Sequence, residues 1–399
     1  MRISLLARRA NIIFGLLMSS TSFDTIVLGV GGMGSAACFE LARRGHRVLG
    51  LEQFSLVHDR GSSHGQTRII RTAYHEHPDY VPLVRRAFER WYELERLRGV
   101  HLLTECGCLT LGKPDSEIVT GVQASARQHS LLIEPLSASD LRKRFSPFRF
   151  SDEYVGVLEH RAGFLYVEEC VRAHIEAARQ FGAIIRAEEP VLSWKATANE
   201  VAVTTAQGTY RAAKLVIAAG PWATRLLAEL GSNLRVMRQT LLWFGTEDDR
   251  AFQRDRFPIY ISQVPEGEFY GLPIIDGLGH KVARHYGAPE VHSPEEIDRE
   301  VRPQDELPVR DFLKRHLPTA NGPVKRAQTC IYTLSPDRHF IIDLHPEYAN
   351  VAFAAGFSGH GFKFASVVGE ILADLAERGT TDQPIDLFRQ KRFLKEDRS

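Results

Sequence analysis

The sequence predicts an α/β (α+β) protein that combines a doubly wound, Rossmann-like domain with a smaller substrate domain carrying a mixed or antiparallel sheet. An apolar strand, a glycine-rich turn and a helix follow one another at residues 25–44, as in a doubly wound sheet. Short β-prone runs between charged and Pro- or Gly-bearing turns occupy residues 235–326, which favours an antiparallel sheet. Residues 351–377 return to a strand, a glycine-bearing loop and a helix. We therefore expect the first domain to be discontinuous.

Composition and charge exclude several classes of protein. The chain has 399 residues, 44% hydrophobic and 25% charged, which is typical of a folded protein of about two domains. Fifty Lys and Arg against 49 Asp and Glu leave a net charge of +1, which supplies no field for holding nucleic acid or a membrane surface. The five cysteines are odd in number and lack zinc-ligand spacing, which favours a reducing, cytoplasmic location and no metal. The expected partner is a small molecule.

The first 23 residues allow two interpretations. Arg8 and Arg9 precede an apolar run at residues 12–18, which resembles a short secretory signal peptide. Alternatively, Met18 is the true start, and residues 1–17 are an upstream extension of the reading frame. We favour the second interpretation, in which residues 1–23 are disordered or not part of the native chain.

The glycine-rich turn predicts a dinucleotide site. Gly29 permits the tight turn, Gly31 lets a pyrophosphate approach the backbone, and Gly34 lets helix and strand pack closely. Glu52 ends the second strand, where a carboxylate accepts hydrogen bonds from ribose hydroxyls and repels the 2′-phosphate of NADP. The turn alone does not separate FAD from NAD. Its place at the start of a long chain, and a second apolar strand at residues 214–218 that leads into Gly220, favour FAD.

The other elements follow from periodicity and end signals. Asp79 is expected to cap a helix that has Pro82 in its first turn and ends at Gly99. A second helix at residues 167–181 leads into a strand at residues 183–185. The three remaining predictions are a hairpin of strands 201–205 and 209–212, a strand at residues 214–218, and a last helix over residues 362–377 ended by Gly379.

Several polar residues suggest chemistry without deciding it. Arg68 and Arg71 lie three apart in a loop of small residues, where an arginine could hold a substrate carboxylate, a phosphate or a surface partner. Lys363 stands at a predicted helix start, an unfavourable place for a cation unless an anion binds nearby. Residues 281 and 285, a lysine and a histidine, share one side in either a helix or a strand. His64 could contact a flavin, whereas the histidines at 75 and 77 lack a third metal ligand.

Taken together, five stretches resemble the monomeric sarcosine oxidase family, which includes N-methyltryptophan oxidase and the peroxisomal sarcosine/pipecolate oxidases. The similarity runs from about Phe23 to the C-terminus, and the stretches around Arg68, Cys330 and Lys363 are specific to the family. The stretches are residues 29–34 with 52–54, 61–71, 329–333, 339–343 and 355–363.

The resemblance implies a role for each matching residue. It implies FAD joined through its 8α-methyl carbon to Cys330, a carboxylate clamp of Arg71 and Lys363, and Lys281 beside flavin N5 to promote the reaction with oxygen. The residues expected around the substrate amine and the flavin are Arg68, His285, Tyr270, Tyr332 and His360. The complete set of predicted cofactor-binding residues is Gly29, Gly31, Gly34, Glu52, His64, Thr67, Arg68, Val191, Gly220, Cys330, Gly359 and Lys363.

The implied reaction converts sarcosine, oxygen and water to glycine, formaldehyde and hydrogen peroxide. Alternatives are an oxidase of N-methyl-L-tryptophan or L-pipecolate, an FAD dehydrogenase that uses another acceptor, and a non-catalytic dinucleotide-binding regulator. We expect a monomer with no nucleic-acid or membrane partner. The FAD-binding domain is predicted from residues 24–105, 163–235 and 336–392, and the substrate domain from residues 106–162 and 236–335.

Overall fold

A computed structural model of the chain describes residues 23–393. The interpretations of residues 1–22, including a start at Met18, lie outside the described residues. Phe23, which we had placed in the extension, begins the first strand and pairs with Ala212. The first strand therefore begins one residue before the predicted boundary.

The described residues form three sheets with helices packed on them. The strands, in chain order, are β1 (Phe23–Leu28), β2 (Val48–Leu51), β3 (Thr67–Ile70), β4 (Leu103–Glu105), β5 (Cys108–Gly112), β6 (Glu134–Leu136), β7 (Val155–Glu159), β8 (Gly163–Tyr166), β9 (Ile184–Arg186), β10 (Val191–Ala196), β11 (Val201–Thr205), β12 (Gly208–Ile217), β13 (Arg235–Phe244), β14 (Ile259–Val264), β15 (Gly267–Leu272), β16 (His280–Arg284), β17 (Glu290–Val291), β18 (Val324–Leu334), β19 (Ile341–Leu344) and β20 (Val351–Ala355). The α-helices are α1 (Gly32–Arg43), α2 (Tyr80–Arg98), α3 (Glu117–His129), α4 (Ala138–Arg144), α5 (Val167–Gln180), α6 (Ala223–Leu226), α7 (Pro303–His316) and α8 (Ala365–Arg378).

The first sheet has a parallel core in the order β20-β12-β1-β2-β9. Its central strands are apolar on both faces, as a parallel sheet covered on both sides requires. Helix α1 packs against α5 and α8, and a Cβ on Gly369 of α8 would come within 2.5 Å of the Ala36 Cβ on α1. Because parallel strands present their carboxyl ends at one edge, the loops after β1, β2 and β12 meet there.

The turn between β1 and α1 depends on two glycines. Gly29 has φ +83°, and a Cβ there would lie 2.7 Å from the Ala218 carbonyl oxygen. A Cβ on Gly34 would lie 1.8 Å from the Gly29 carbonyl oxygen. Side chains at either position therefore collide with backbone, which keeps the helix start close to the end of the strand.

The second sheet has nine strands and is mixed. Within β13 to β18 all pairs of neighbouring strands are antiparallel. The pair of β14 with β5 is parallel. Strands β3, β8 and β4 form a small antiparallel sheet. In the chain, these three strands come between strands of the first sheet and strands of the second. The predicted fold class, a doubly wound sheet beside a mixed or antiparallel one, is confirmed. The predicted division of the chain into two domains stays a prediction.

Two predicted element boundaries are wrong. The strands predicted at residues 209–212 and 214–218 are the single strand β12, whose first half pairs with β11 and whose second half pairs with β20. The last helix begins at Ala365, because residues Phe362–Phe364 form a 3-10 turn before it. The turn places Lys363 at the end of a loop instead of inside the helix.

The glycines predicted to end two helices do so in the structure, whereas the residue predicted to cap a helix start makes no capping hydrogen bond. Gly99 and Gly379 end α2 and α8 in the left-handed conformation, with φ of 64° and 75°. Asp79 occupies the N-cap position of α2, but its side chain accepts no capping hydrogen bond. Its backbone is already helical, with φ −65° and ψ −12°, which differs from the extended conformation in which a capping carboxylate reaches the next turn.

We predict that Gly34→Ala lowers the free energy of unfolding by at least about 2 kcal/mol, because the added methyl group meets backbone that cannot rotate away. The matched control is Gly31→Ala, whose Cβ would meet only Ser63 Oγ at 3.5 Å. Urea unfolding of both variants measures the difference. Equal stability of the two variants would contradict the close approach of α1 to β1.

Candidate active site

A cavity opens where the carboxyl ends of the parallel strands meet the second sheet. Its wall includes the turn after β1, the loop before β3, strand β15, the middle of β18 and the loop after β20. The predicted site residues that line it are Gly29, Gly31, Glu52, Arg68, Arg71, Val191, Gly220, Tyr270, His285, Cys330, Tyr332, Gly359, His360 and Lys363. Gly34, His64, Thr67 and Lys281 do not line the cavity and lie behind its wall.

One end of the cavity has the features of a dinucleotide site. The N-cap residue of α1, Gly31, has no side chain to cap the helix. Gly32 N donates to Ser63 Oγ at 3.0 Å, and the other backbone N–H groups of the first turn remain available to phosphates. Glu52 is held in place by two backbone donors, Val30 N at 2.9 Å from Oε2 and Phe54 N at 3.1 Å from Oε1. The buried Nδ1 atom of His64 has no hydrogen-bond partner among the described residues. These residues fit a dinucleotide cofactor.

Cys330 differs chemically from the other four cysteines. Arg68 donates a hydrogen bond from Nη2 to Cys330 Sγ at 3.2 Å. Burial raises the pKa of Cys330, but Arg68 and His64 outweigh this effect and lower the pKa to about 6. Burial raises the pKa of the remaining cysteines, to about 12 for Cys38 and about 11 for Cys106. Of the five cysteines, Cys330 is thus the one whose surroundings favour the nucleophilic thiolate.

Two buried cations share the ring of Tyr74 at the other end of the cavity. The Arg71 guanidinium lies 4.2 Å from the centre of this ring, and Lys363 Nζ lies 5.1 Å from it. Lys363 donates to the His360 carbonyl oxygen at 2.7 Å, and burial and the charge of Arg71 lower its pKa to about 7. Arg71 forms an ion pair with Glu76 at 2.7 Å, while its Nε atom has no partner among the described residues. Both side chains therefore retain donors for an anion.

The imidazoles near this end of the cavity are neutral. His285 Nδ1 lies 3.1 Å from the Tyr332 hydroxyl, and burial keeps its pKa well below the usual value. His360 Nδ1 lies 2.7 Å from the Tyr74 hydroxyl, and burial lowers its pKa to about 4. The cavity wall around Tyr270 therefore combines hydroxyl and imidazole groups without adding positive charge.

Lys281 lies behind the cavity wall, and its role beside flavin N5 stays a prediction. Its Nζ donates to the carbonyl oxygens of Gly65 at 2.6 Å and Thr67 at 3.0 Å, and it lies over the Trp243 ring. Burial, with the nearby charge of Arg68, lowers its pKa, although these oxygen acceptors favour the charged form. The ammonium thus anchors the loop that carries Arg68.

Among the polar cavity residues that sequence reasoning missed, three lie near Arg71: His75, Glu76 and Glu268. His75 had been weighed only as a metal ligand, yet its Nδ1 lies 3.0 Å from Arg71 Nη2. Glu268 precedes Tyr270 by two on β15, so strand alternation could have found it. Residues 23–393 contain no group of three or more His, Cys, Asp or Glu placed to hold a metal, and no helix in them could cross a membrane.

A Rossmann-type sheet with an uncapped helix start, next to a reactive thiol and a buried pair of cations, defines a dinucleotide-dependent redox enzyme. Residues 24–375 match the family of FAD dependent oxidoreductases, and the chain belongs to this family. The resemblance stated from the sequence is confirmed.

Curated relatives cover nearly the whole chain. It is 45% identical to monomeric sarcosine oxidase of Streptomyces avermitilis, over 94% of this chain and 98% of that protein. It is 36% identical to N-methyl-L-tryptophan oxidase of Escherichia coli O139:H28, over 93% of this chain and 99% of that protein. Among solved structures, the open form of NikD, an amino acid oxidase essential for nikkomycin biosynthesis, has a TM-score of 0.82 at 28% identity, over 92% of this chain and 97% of NikD.

We predict that anion binding in the cavity weakens above about pH 7, because deprotonation of Lys363 removes a positive charge there. Below this pKa the lysine is charged and binds a carboxylate; above it, the affinity for acetate falls by up to about tenfold per pH unit. Titration of the protein's visible spectrum with acetate between pH 6 and 9 measures this. Lys363→Met should bind weakly at every pH, whereas Lys314→Met, on the surface of α7, should keep the dependence. A dependence that survives in Lys363→Met would contradict the assignment.

Proposed function

We propose that this protein is an oxidase of N-methyl amino acids with sarcosine as its first substrate, which it converts with oxygen and water to glycine, formaldehyde and hydrogen peroxide. The observation that carries the proposal is the buried pair of Arg71 and Lys363 in the same cavity as the Cys330 thiolate. Relatives named for sarcosine and N-methyl-L-tryptophan support the substrate class. The screen described below separates these substrates and L-pipecolate.

The cofactor of the proposed reaction is FAD. When bound, FAD supplies an acceptor for a hydride equivalent from the carbon beside the substrate nitrogen. Gly29, Gly31 and Glu52 would hold the adenosine and pyrophosphate half, with Val191 and Gly220 beside them. Cys330, whose lowered pKa favours the thiolate, would form the covalent link to the ring. The remaining predicted contacts are His64, Thr67, Arg68, Gly359 and Lys363.

The clamp fixes the substrate by its carboxylate. Arg71 Nε and the Lys363 ammonium provide donors to a carboxylate in a buried setting, where ionic hydrogen bonds are strong. Holding this end fixes the distance from the amine to the rest of the cavity, and such positioning supplies much of the rate of an enzymatic reaction.

The neutral wall favours the reactive form of the amine. A secondary amine loses a hydride only when its nitrogen has a free lone pair. His285 and His360 are neutral at neutral pH. The positive charge near the substrate amine therefore comes from Arg71 and Lys363, and this charge disfavours protonation of the amine. The electrostatics of the pocket therefore lower the cost of binding the neutral amine.

Two further properties belong to the proposal. The relatives named monomeric sarcosine oxidase support a monomer. The five cysteines are free, which supports a reducing, cytoplasmic location. Oxygen as the electron acceptor distinguishes the proposed oxidase from a dehydrogenase.

We expect the purified protein to be yellow, to release hydrogen peroxide with sarcosine in air, and to keep its colour in the pellet after acid precipitation. Cys330→Ser should release the colour into the acid supernatant, because it removes the thiolate, whereas Cys170→Ser should behave as the parent protein. N-methyl-L-tryptophan and L-pipecolate complete the screen. A colourless protein, or one that releases no peroxide with any of the three amino acids, refutes the function.

We further expect Lys281→Met to slow the return of the yellow colour on mixing the reduced protein with oxygen by at least about tenfold. A buried cation stabilises the negative charge that oxygen acquires as it takes an electron, and one such contact contributes on the order of tenfold to a thousandfold. Stopped-flow absorbance measures bleaching by sarcosine and recovery separately. Slowed bleaching with normal recovery would instead assign Lys281 to the loop it anchors.

A further inference from the structure

The cavity contains a carboxyl group that the proposed oxidation does not use. Glu268 lies on β15 and lines the cavity, with 17% of its side chain exposed. No hydrogen bond reaches its carboxyl group from the residues that the structure describes, and its nearest ionic partner is His75 Nε2 at 4.0 Å. Other buried carboxylates close to the site are satisfied: Glu76 pairs with Arg71, and Glu159 accepts from the backbone N–H groups of Thr72 and Ala73. Glu268 is therefore the exception.

The orientation of His75 follows from its other neighbour. Arg71 can only donate, so His75 Nδ1 must accept its hydrogen bond, which leaves the imidazole proton on Nε2. This N–H points towards Glu268, but 4.0 Å is too long for a hydrogen bond. Burial lowers the pKa of His75 to about 3, so it brings no positive charge to the carboxyl group. Glu268 and His75 thus lie side by side in the cavity wall without a hydrogen bond between them.

The pair of Glu268 and His75 lies close to the clamp. A single imidazole ring separates the Arg71 guanidinium from the Glu268 carboxyl group, with contacts of 3.0 Å on one side and 4.0 Å on the other. A substrate held at Arg71 by its carboxylate can therefore reach Glu268 with a side chain of ordinary length.

The environment of Glu268 favours a cationic ligand. Burial, and then the negative charge of Glu76, raise the pKa of Glu268 to about 8. Its other charged neighbours are Arg71, Glu117 and Arg338. A cation placed against the carboxyl group would ionise it and supply the missing donor in one step. A neutral alkyl chain would instead leave a buried carboxyl group unpaired.

We propose that Glu268 and His75 form a side-chain subsite that selects amino acid substrates whose side chain ends in a cationic group. This inference rests on the proposed function and adds a preferred class of larger substrates to it. Glu268 provides the charge, and His75, which contacts Arg71, places this carboxyl group beside the clamp. Sarcosine, which has no side chain, leaves the subsite empty.

The test compares Nα-methyl-L-lysine with Nα-methyl-L-norleucine, which differ only in the terminal amino group. With the holoenzyme, kcat/KM for peroxide release should be at least about tenfold higher for the lysine derivative, as a charged hydrogen bond provides. Glu268→Gln and Glu268→Leu should both reduce this ratio to within about threefold. Glu266→Gln is the matched control, since Glu266 pairs with Arg315 outside the cavity and its loss should leave the ratio intact.

A binding measurement separates this inference from the proposed function. Analogues of the two compounds with a thioether sulfur in place of the secondary amine cannot form an imine, so calorimetry reports their affinity even if nothing is oxidised. The subsite predicts tighter binding of the amino-terminated analogue and loss of this preference in both Glu268 variants. Equal affinity of the two analogues for the parent protein, or a preference that Glu268→Gln and Glu268→Leu retain, overturns it.

Discussion

The segment at residues 61–71, which is a loop followed by β3, is the constraint on which the site depends, because it carries Arg68 and Arg71 and contacts α1, α5 and the second sheet. Lys281 of the second sheet donates to its carbonyl oxygens, and the Glu168 carboxylate of α5 accepts from the backbone N–H groups of Gly65 and Gln66. Two other hydrogen bonds join Ser63 Oγ to Gly32 N at 3.0 Å and Ser62 Oγ to the Ile331 carbonyl oxygen at 2.7 Å. The loop therefore aligns the nucleotide turn with Cys330.

This arrangement explains how one cavity holds several positive charges. Each has a different partner: Arg68 has Cys330 Sγ, Arg71 has Glu76, and Lys363 has the His360 carbonyl oxygen. Burial of these charges without a partner would cost free energy and, for Lys363, would favour the neutral form. Only Lys363 has a pKa near neutrality, at about 7, so its charge is the one that a bound carboxylate changes most. Within residues 23–393, Lys363 therefore has no carboxylate partner and can pair with the carboxylate of a bound ligand.

The roles of residues could be predicted from the sequence where those residues lie close together in the chain. The turn from Gly29 to Gly34 and the acid at Glu52 lie within one βαβ unit, and their roles follow from spacing. Cys330 could be selected only by resemblance, because the arginine that lowers its pKa is 262 residues away in the chain. His75 shows the same limit: the sequence offered only a metal site for it, which was rejected for lack of a third ligand, and did not reveal its neighbours Arg71 and Glu268. Asp79 failed because a capping residue must be extended, and composition does not reveal φ and ψ.

The nucleotide end of the cavity is formed mainly by backbone, whereas the substrate end is formed by side chains. The nucleotide end is made of backbone in the turn after β1, where a Cβ on Gly34 would lie 1.8 Å from a carbonyl oxygen. The substrate end is made of side chains from β15, β18 and the loops after β3 and β20. On β15 alternate residues face the cavity, so a change at position 268 alters the wall without moving Tyr270 or the strand pairing. Substrate preference can therefore vary on this fold while the geometry that holds the dinucleotide stays fixed.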